Sequence, residues 1–232
     1  MIKPPAIFIA SFAFLATFFA TTSAKGQDYY PNRSYSSGDK NIRLALTFNP
    51  NIGWLKYENG SKAKAKPGYS YGLVADFGFT RNYYFSTGLL INAINSSISA
   101  GNAMDTEGDY KDFSRSIYLK YVEVPLTIKL KSEENQVGRF YGQFGFTGGF
   151  KVSGKEQLPS QTTKTSISGA DIFRIGLLIG GGAEWRLSNN LALLTGVAYN
   201  NGFTRAINMG EGIYGADKPK TSYVSLNVGL FF

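Results

Sequence analysis

From Tyr69 onward, apolar residues alternate with small or polar ones at a period of two. Tyr69, Tyr71, Leu73, Ala75, Phe77 and Phe79 share one face, against Ser70, Gly72, Val74, Asp76, Gly78 and Thr80. Successive side chains of a strand point to opposite sides of its sheet, so this is a strand with two unlike faces. The pattern recurs. Tyr83, Phe85, Thr87, Leu89 and Ile91 oppose Ser86, Gly88 and Asn92. Val122, Val124, Leu126, Ile128 and Leu130 oppose Glu123, Pro125, Thr127 and Lys129, and Phe144 and Phe146 oppose Gln143, Gly145 and Thr147. Phe173, Ile175, Leu177, Ile179, Ala183 and Trp185 face away from Arg174, Gly176, Gly180, Gly182, Glu184 and Arg186. Leu191, Leu193, Val197 and Tyr199 make another apolar face; Val224, Leu226, Val228, Leu230 and Phe232 make the last, opposite Tyr223, Ser225, Asn227 and Gly229. With a first strand near Ile42 to Phe48, the expectation is about eight strands of roughly ten residues, enough for a tilted strand to cross hydrocarbon.

The connections alternate in length. Thr80-Arg81-Asn82 and Ser188-Asn189-Asn190 are tight turns, and Lys131 to Gly138 is a modest polar one. Between them stand long polar segments, about Lys56 to Gly68, Ser99 to Ser114, Ser153 to Ala170 and Gly202 to Lys220. Short turns at one end and long loops at the other belong to an up-and-down outer-membrane barrel, with the turns periplasmic and the loops external. An even strand number puts both ends of the barrel on the periplasmic side. Aromatic residues fall into two groups on this topology. Phe77, Phe79, Tyr83, Phe85, Phe140, Trp185 and Phe232 lie toward the turns; Tyr69, Tyr71, Tyr118, Phe150, Phe173 and Tyr199 lie toward the loops. Rings with a polar edge favour the two headgroup levels.

The rival is a secreted soluble barrel or sandwich with its apolar face inward. Its outer face would then carry many Lys and Glu residues. Here the face opposite the apolar one is mostly Gly, Ser, Thr and Asn, which suits a narrow lumen. The fold expected is therefore all-β: a transmembrane antiparallel up-and-down β-barrel over 41–232.

The first residues read differently. Met1-Ile2-Lys3 is short and basic, Ile7 to Ala20 is an apolar run, and Thr21 to Gln27 is mostly small. That order is a secretory signal peptide, too short in its apolar part to span a bilayer comfortably. Cleavage after Ala24 fits, and cleavage after Gly26 fits better, leaving 27–40 as a flexible periplasmic segment. With no Cys in the chain, a lipid-anchored form is excluded. No other stretch reads as a membrane helix, so any crossing falls to strands. Loss of Lys3 and Lys25 lowers the formal charge from +8 to about +6. After export, anionic headgroups and lipopolysaccharide are fitting partners for that excess, and nucleic acid is not.

Three segments carry a resemblance. Tyr121-Val122-Glu123-Val124-Pro125-Leu126-Thr127-Ile128-Lys129 resembles the Tyr-Leu-Glu-Ile-Pro-Leu-Leu-Leu-Lys pattern of the PorT-like outer-membrane β-barrel family of Bacteroidota. Gly180 to Trp185 with the turn Leu187 to Asn190 resembles that family's penultimate hairpin, and Leu226 to Phe232 its last strand. The resemblance implies an outer-membrane location in a Gram-negative envelope, and for some relatives an association with type IX secretion and gliding. It names no activity. Val228, Leu230 and Phe232 also resemble the terminal signal read by the barrel-insertion machinery.

Chemistry is sparse. With neither His nor Cys, thiol catalysis, histidine-based triads and the usual transition-metal sites have no residues to work with. Gly180 to Gly182 lies in a strand with no helix after it, so it is no phosphate loop. No catalytic residue, cofactor or metal site is expected. Asp76, Glu123, Lys129, Arg174, Glu184 and Arg186 are expected inside the barrel, where buried charges must pair. A polar ion path through them is the rival, disfavoured because eight strands leave room mainly for side chains. Lys56, Lys62, Lys64 and Lys66 form a basic first loop suited to anionic headgroups. Asp105, Glu107, Asp109 and Asp112 around Gly108 offer oxygen ligands for calcium but lack the EF-hand order, so a solvated acidic loop is expected. These features support a structural or interaction component over a small-solute pore or a surface adhesin or lipopolysaccharide-binding barrel; a part as accessory to secretion or surface assembly is what the resemblance implies. Amino-terminal sequencing of the exported protein should begin at Gln27; a start at Lys25 would assign the other cleavage site.

Overall fold

The computed structural model describes residues 42–56, 63–104, 110–135, 137–158, 163–167, 171–207 and 219–232, with backbone alone at 98–104 and 110–114. The strands are β1 Ile42–Lys56, β2 Ala63–Gly78, β3 Tyr83–Met104, β4 Tyr110–Lys131, β5 Gly138–Gln157, β6 Thr165–Ser166, β7 Phe173–Arg186, β8 Ala192–Arg205 and β9 Lys220–Phe231. Eight of them pair antiparallel with their chain neighbours, β5 passing to β7. β9 returns to β1 along a ladder from Ala45↔Phe231 to Lys56↔Lys220. The sheet is thus a closed eight-stranded barrel. β6 adds two rungs to the loop end of β5, Lys155↔Ser166 and Glu156↔Thr165.

The alternation in the sequence becomes inside and outside. On β1, Leu44, Leu46, Phe48 and Ile52 are exposed while Ala45, Thr47, Asn49, Asn51 and Leu55 are buried. The outer surface carries apolar side chains from every barrel strand, including Leu73, Leu89, Leu126, Phe146, Ile179, Val197 and Leu226. Leu46 is 61% exposed and Ile179 58%. So large a continuous apolar face is untenable in water and fits hydrocarbon. Both aromatic groups border it. Phe79, Tyr83, Phe140, Trp185 and Phe232 are exposed at the turn end, with Phe77 and Phe85 half-buried. Tyr69, Tyr71, Phe150, Phe173 and Tyr199 are exposed at the loop end, where Tyr118 is half-buried. Trp54 joins the second group by stacking on Tyr199, ring centroids 6.2 Å apart.

The ten-residue strand estimate is too short. β9 has 12 residues and β3 and β4 have 22 each. At about 3.3 Å per residue, β3 and β4 run roughly 70 Å, far beyond an apolar band of about 25 Å. Much of what reads as loop is therefore strand: Ala63–Gly68 belongs to β2, Ser99–Met104 to β3 and Tyr110–Ser114 to β4. Beyond the lipid, ladder hydrogen bonds still satisfy the backbone, and the sequence there no longer alternates. Irregularities in register concentrate here, between Ala65/Tyr69, Ala100/Ala103, Lys120/Tyr121 and Asn201/Arg205. Such bulges re-aim strand ends.

Leu126 lies on the outer face between the two aromatic borders, paired with Thr87 and Phe146. A Leu126→Arg change should cost about 2–4 kcal/mol in reversible folding into lipid vesicles. A cost under about 1 kcal/mol would place this face outside the hydrocarbon.

Candidate functional site in the barrel lumen

The barrel interior is packed in three tiers. At the turn end is an ionic cluster. Asp76 accepts from Lys129 Nζ through both oxygens at 2.9 Å, and from Lys131 Nζ at 2.9 Å. Lys131 also lies 2.8 Å from Glu184 Oε1, so one fully buried ammonium bridges both carboxylates. Glu184 Oε2 accepts from Arg43 at 2.7 Å and Arg139 at 3.1 Å. Four cations thus surround two anions. Aromatic faces share the excess: Lys131 Nζ is 3.9 Å from the Tyr84 centroid, and Arg43 Cζ 4.3 Å from that of Phe231. An ammonium or guanidinium is drawn to the negative face of a ring, more so once desolvated.

The middle tier is a hydrogen-bonded network across seven strands. Arg174 Nη1 donates to Glu123 Oε1 at 2.9 Å, Nε donates to Thr221 Oγ1 at 2.6 Å, and Nη2 donates to Asn200 Oδ1. Glu123 Oε2 accepts from Asn92 at 2.9 Å and from the Tyr223 hydroxyl at 3.0 Å. Asn51 donates on to Asn92 at 3.0 Å, and Asn200 to Thr147 at 2.9 Å. Charge pairs survive burial only when their remaining donors and acceptors are filled, as here. Small residues make the room. A Cβ on Gly149 would come within 3.1 Å of Glu123 Cγ, and one on Gly176 within 2.5 Å of Asn200 Oδ1.

The third tier, toward the loops, is apolar. Leu55, Ile94, Ile117, Leu119, Tyr121 and Tyr223 pack with Ala206 and Ile207, which follow β8, and Ile167 lies against them. Backbone bonds hold those segments: Ala206 N donates to Pro219 O at 2.7 Å and Ile167 N to Gly154 O at 3.0 Å. The barrel carries a stopper of its own chain at its outer mouth.

Of the interior charges expected from sequence, Asp76, Glu123, Lys129, Arg174 and Glu184 are buried and paired. Arg186 is not among them. It stands at the turn-end rim, its side chain 47% exposed, and donates to Glu134 of the β4–β5 turn at 2.8 Å. Its parity is inward, but the strand ends there and no wall encloses it. Sequence reading missed Arg43, Lys131 and Arg139. Arg43 and Arg139 oppose the outward Leu44 and Phe140, so parity carried both. Lys131 continues the inward series of Lys129 but looked like part of a turn. The apolar tier left no signal, because Ile117 and Leu119 read like any outward residues.

The other candidates scatter. Lys56 ends β1 and Lys64 lies on β2, both exposed; Lys66 lies on β2 and donates to Ser116 Oγ at 2.6 Å; Lys62 is outside the described residues. The side chains of Asp105, Glu107, Asp109 and Asp112 are also outside them. Val228, Leu230 and Phe232 point outward, while Phe231 is fully buried inside. Among the described residues no acidic cluster is arranged to hold a metal.

A closed eight-stranded sheet with an apolar exterior, two aromatic borders and a charged, compensated interior defines an integral outer-membrane β-barrel protein. The chain belongs to the outer membrane protein beta-barrel domain family, whose model matches residues 27–208. No curated protein matches it. Among solved structures it is similar to Neisserial surface protein A, at 10% identity over 81% of this chain and 95% of that one, TM-score 0.44. It is similar also to OprG of Pseudomonas aeruginosa, at 14% over 82% and 95%, TM-score 0.44. Ail of Yersinia pestis matches at 13% over 83% and 100%, TM-score 0.38.

Glu184→Gln leaves Arg43, Lys131 and Arg139 facing a neutral amide inside the barrel. The expected loss is about 3–5 kcal/mol in urea unfolding of the lipid-embedded barrel. Arg186→Gln, at the open rim, should change stability by under about 1 kcal/mol. Equal losses would contradict the difference in burial.

Proposed function

We propose that this is a non-enzymatic outer-membrane barrel that works by contact rather than conduction, as an accessory of a secretion or surface-assembly apparatus. The observation that carries the reading is the filled lumen: ionic, polar and apolar tiers follow one another along the axis. Eight-stranded barrels have space for side chains and little more, and each tier here spends that space on packing. With the interior occupied, the surfaces left for work are the periplasmic turns and the external strand extensions of β3 and β4. The absence of His and Cys supports the non-enzymatic part. The secretion or surface-assembly part rests on the PorT-like resemblance of 121–129 and 180–190. Export through a cleaved signal peptide belongs to the same proposal, and the family match starting at residue 27 supports it.

A tag on the periplasmic side, gentle extraction from native outer membrane and identification of co-purifying proteins tests the contact role. Recovery of a reproducible surface-assembly or secretion partner is expected, and the same sample should be silent in planar bilayers. Steady single-channel conductance from a barrel recovered alone would replace this reading with a small-solute pore.

A further inference from the structure

Just beyond the outer aromatic border, one sector of the barrel wall turns from apolar to basic. Tyr69 of that border pairs with Ala93 on β3, and Ala93 pairs with Lys120 on β4. Lys120 is therefore in register with Tyr69 across β3. Tyr118 is two residues farther out on the same face, since Ile117, Leu119 and Tyr121 turn into the lumen. Lys164 Nζ lies 3.8 Å and Lys66 Nζ 5.6 Å from the centroid of its ring. Lys66 is also tied to Ser116 Oγ at 2.6 Å, and the Tyr118 hydroxyl donates to Gln157 Oε1 at 3.3 Å. The β5 partner of Tyr118 is Lys155, which is exposed.

Among the described side chains, this sector has no free counter-charge. Of the carboxylates described at this end, Glu156 is 2.5 Å from Arg115 and Asp171 is 2.8 Å from Arg205. Glu123 is inside with Arg174. Among the described side chains, no carboxylate pairs with Lys66, Lys120, Lys155 or Lys164. Ammonium groups gathered around one ring without a carboxylate partner repel one another, and an anion bound among them would turn that repulsion into attraction. At the level where aromatic side chains meet headgroups, the anion on offer is a lipid phosphate.

We propose that Lys66, Lys120, Lys155 and Lys164, gathered around Tyr118, bind the phosphate groups of the outer-leaflet glycolipid, lipid A, against the barrel wall. Ammonium groups serve as point-charge phosphate binders, and four at headgroup depth supply an additive attraction. The site is on the wall formed by β2, β4, β5 and the segment bearing Lys164, not in the first loop.

The test uses the purified full barrel in detergent micelles, titrated with bis-phosphorylated lipid A and read by native mass spectrometry. Replacing all four lysines with Gln should weaken binding at least about tenfold. Lys56→Gln with Lys64→Gln should leave binding unchanged, and dephosphorylated lipid A should bind the unaltered protein as weakly as the fourfold variant does. Folding is checked by the heat-dependent shift in electrophoretic mobility. If the fourfold variant fails that check, Lys155→Glu with Lys164→Glu, both at exposed positions, takes its place with the same expected loss. Undiminished binding by a folded variant would overturn the proposal. So would equal affinity for the dephosphorylated lipid, or competition by phosphatidylglycerol as effective as lipid A itself.

Discussion

Everything in this molecule depends on the ladder between β1 and β9. In hydrocarbon no water can satisfy a free N–H or C=O, so a sheet survives there only without an edge. The first and last barrel strands meet from Ala45↔Phe231 to Lys56↔Lys220 and remove both edges at once. Closure then dictates the rest. The outward face of each strand must be apolar over the lipid's thickness, and the inward face must fill a narrow tube without voids.

The tube is filled by side chains that would be costly anywhere else in a membrane. Lys129, Lys131, Arg174, Asp76, Glu123 and Glu184 are all almost fully enclosed. Each is tolerable because a partner comes from another strand, most often the second neighbour around the barrel, brought into reach by the curvature of the sheet. Arg174 of β7 reaches Glu123 of β4; Lys131 of β4 reaches Glu184 of β7. These pairs reach over the intervening β5 and hold its two neighbours in one arrangement, while the glycines beside them keep the space open. Above them Ile207 and Ile167 exchange polarity for packing, so the tiers differ in chemistry but share one result, an occupied interior.

Outside the lipid the same sheet has other freedoms. β3 and β4 continue as a paired ribbon past the aromatic border. The wall near Tyr118 becomes basic where headgroups begin. In the proposed contact role the exterior and the ends do the work, and the lumen serves the architecture.

Much of this was legible in the chain. Period-two runs such as Phe173 to Arg186 named their own outward and inward faces, because lipid favours apolar side chains on one side and the enclosed lumen takes small or paired polar ones on the other. Alternating turn lengths named the topology, and parity placed Asp76, Glu123, Lys129, Arg174 and Glu184 inside. Parity cannot say where a wall stops, so Arg186 was assigned to a lumen it does not reach. Nor does it tell which charges meet. Lys131 with Glu184, 53 positions apart, and Lys66 with Lys164, drawn to one tyrosine, are neighbours only through the register and curvature of the sheet between them. The sequence by itself determined which face of each strand meets lipid, since that depends on nearest neighbours along the chain. Only the tertiary structure decided the partners, the stopper and the basic wall, since those depend on which strands the closed sheet brings together.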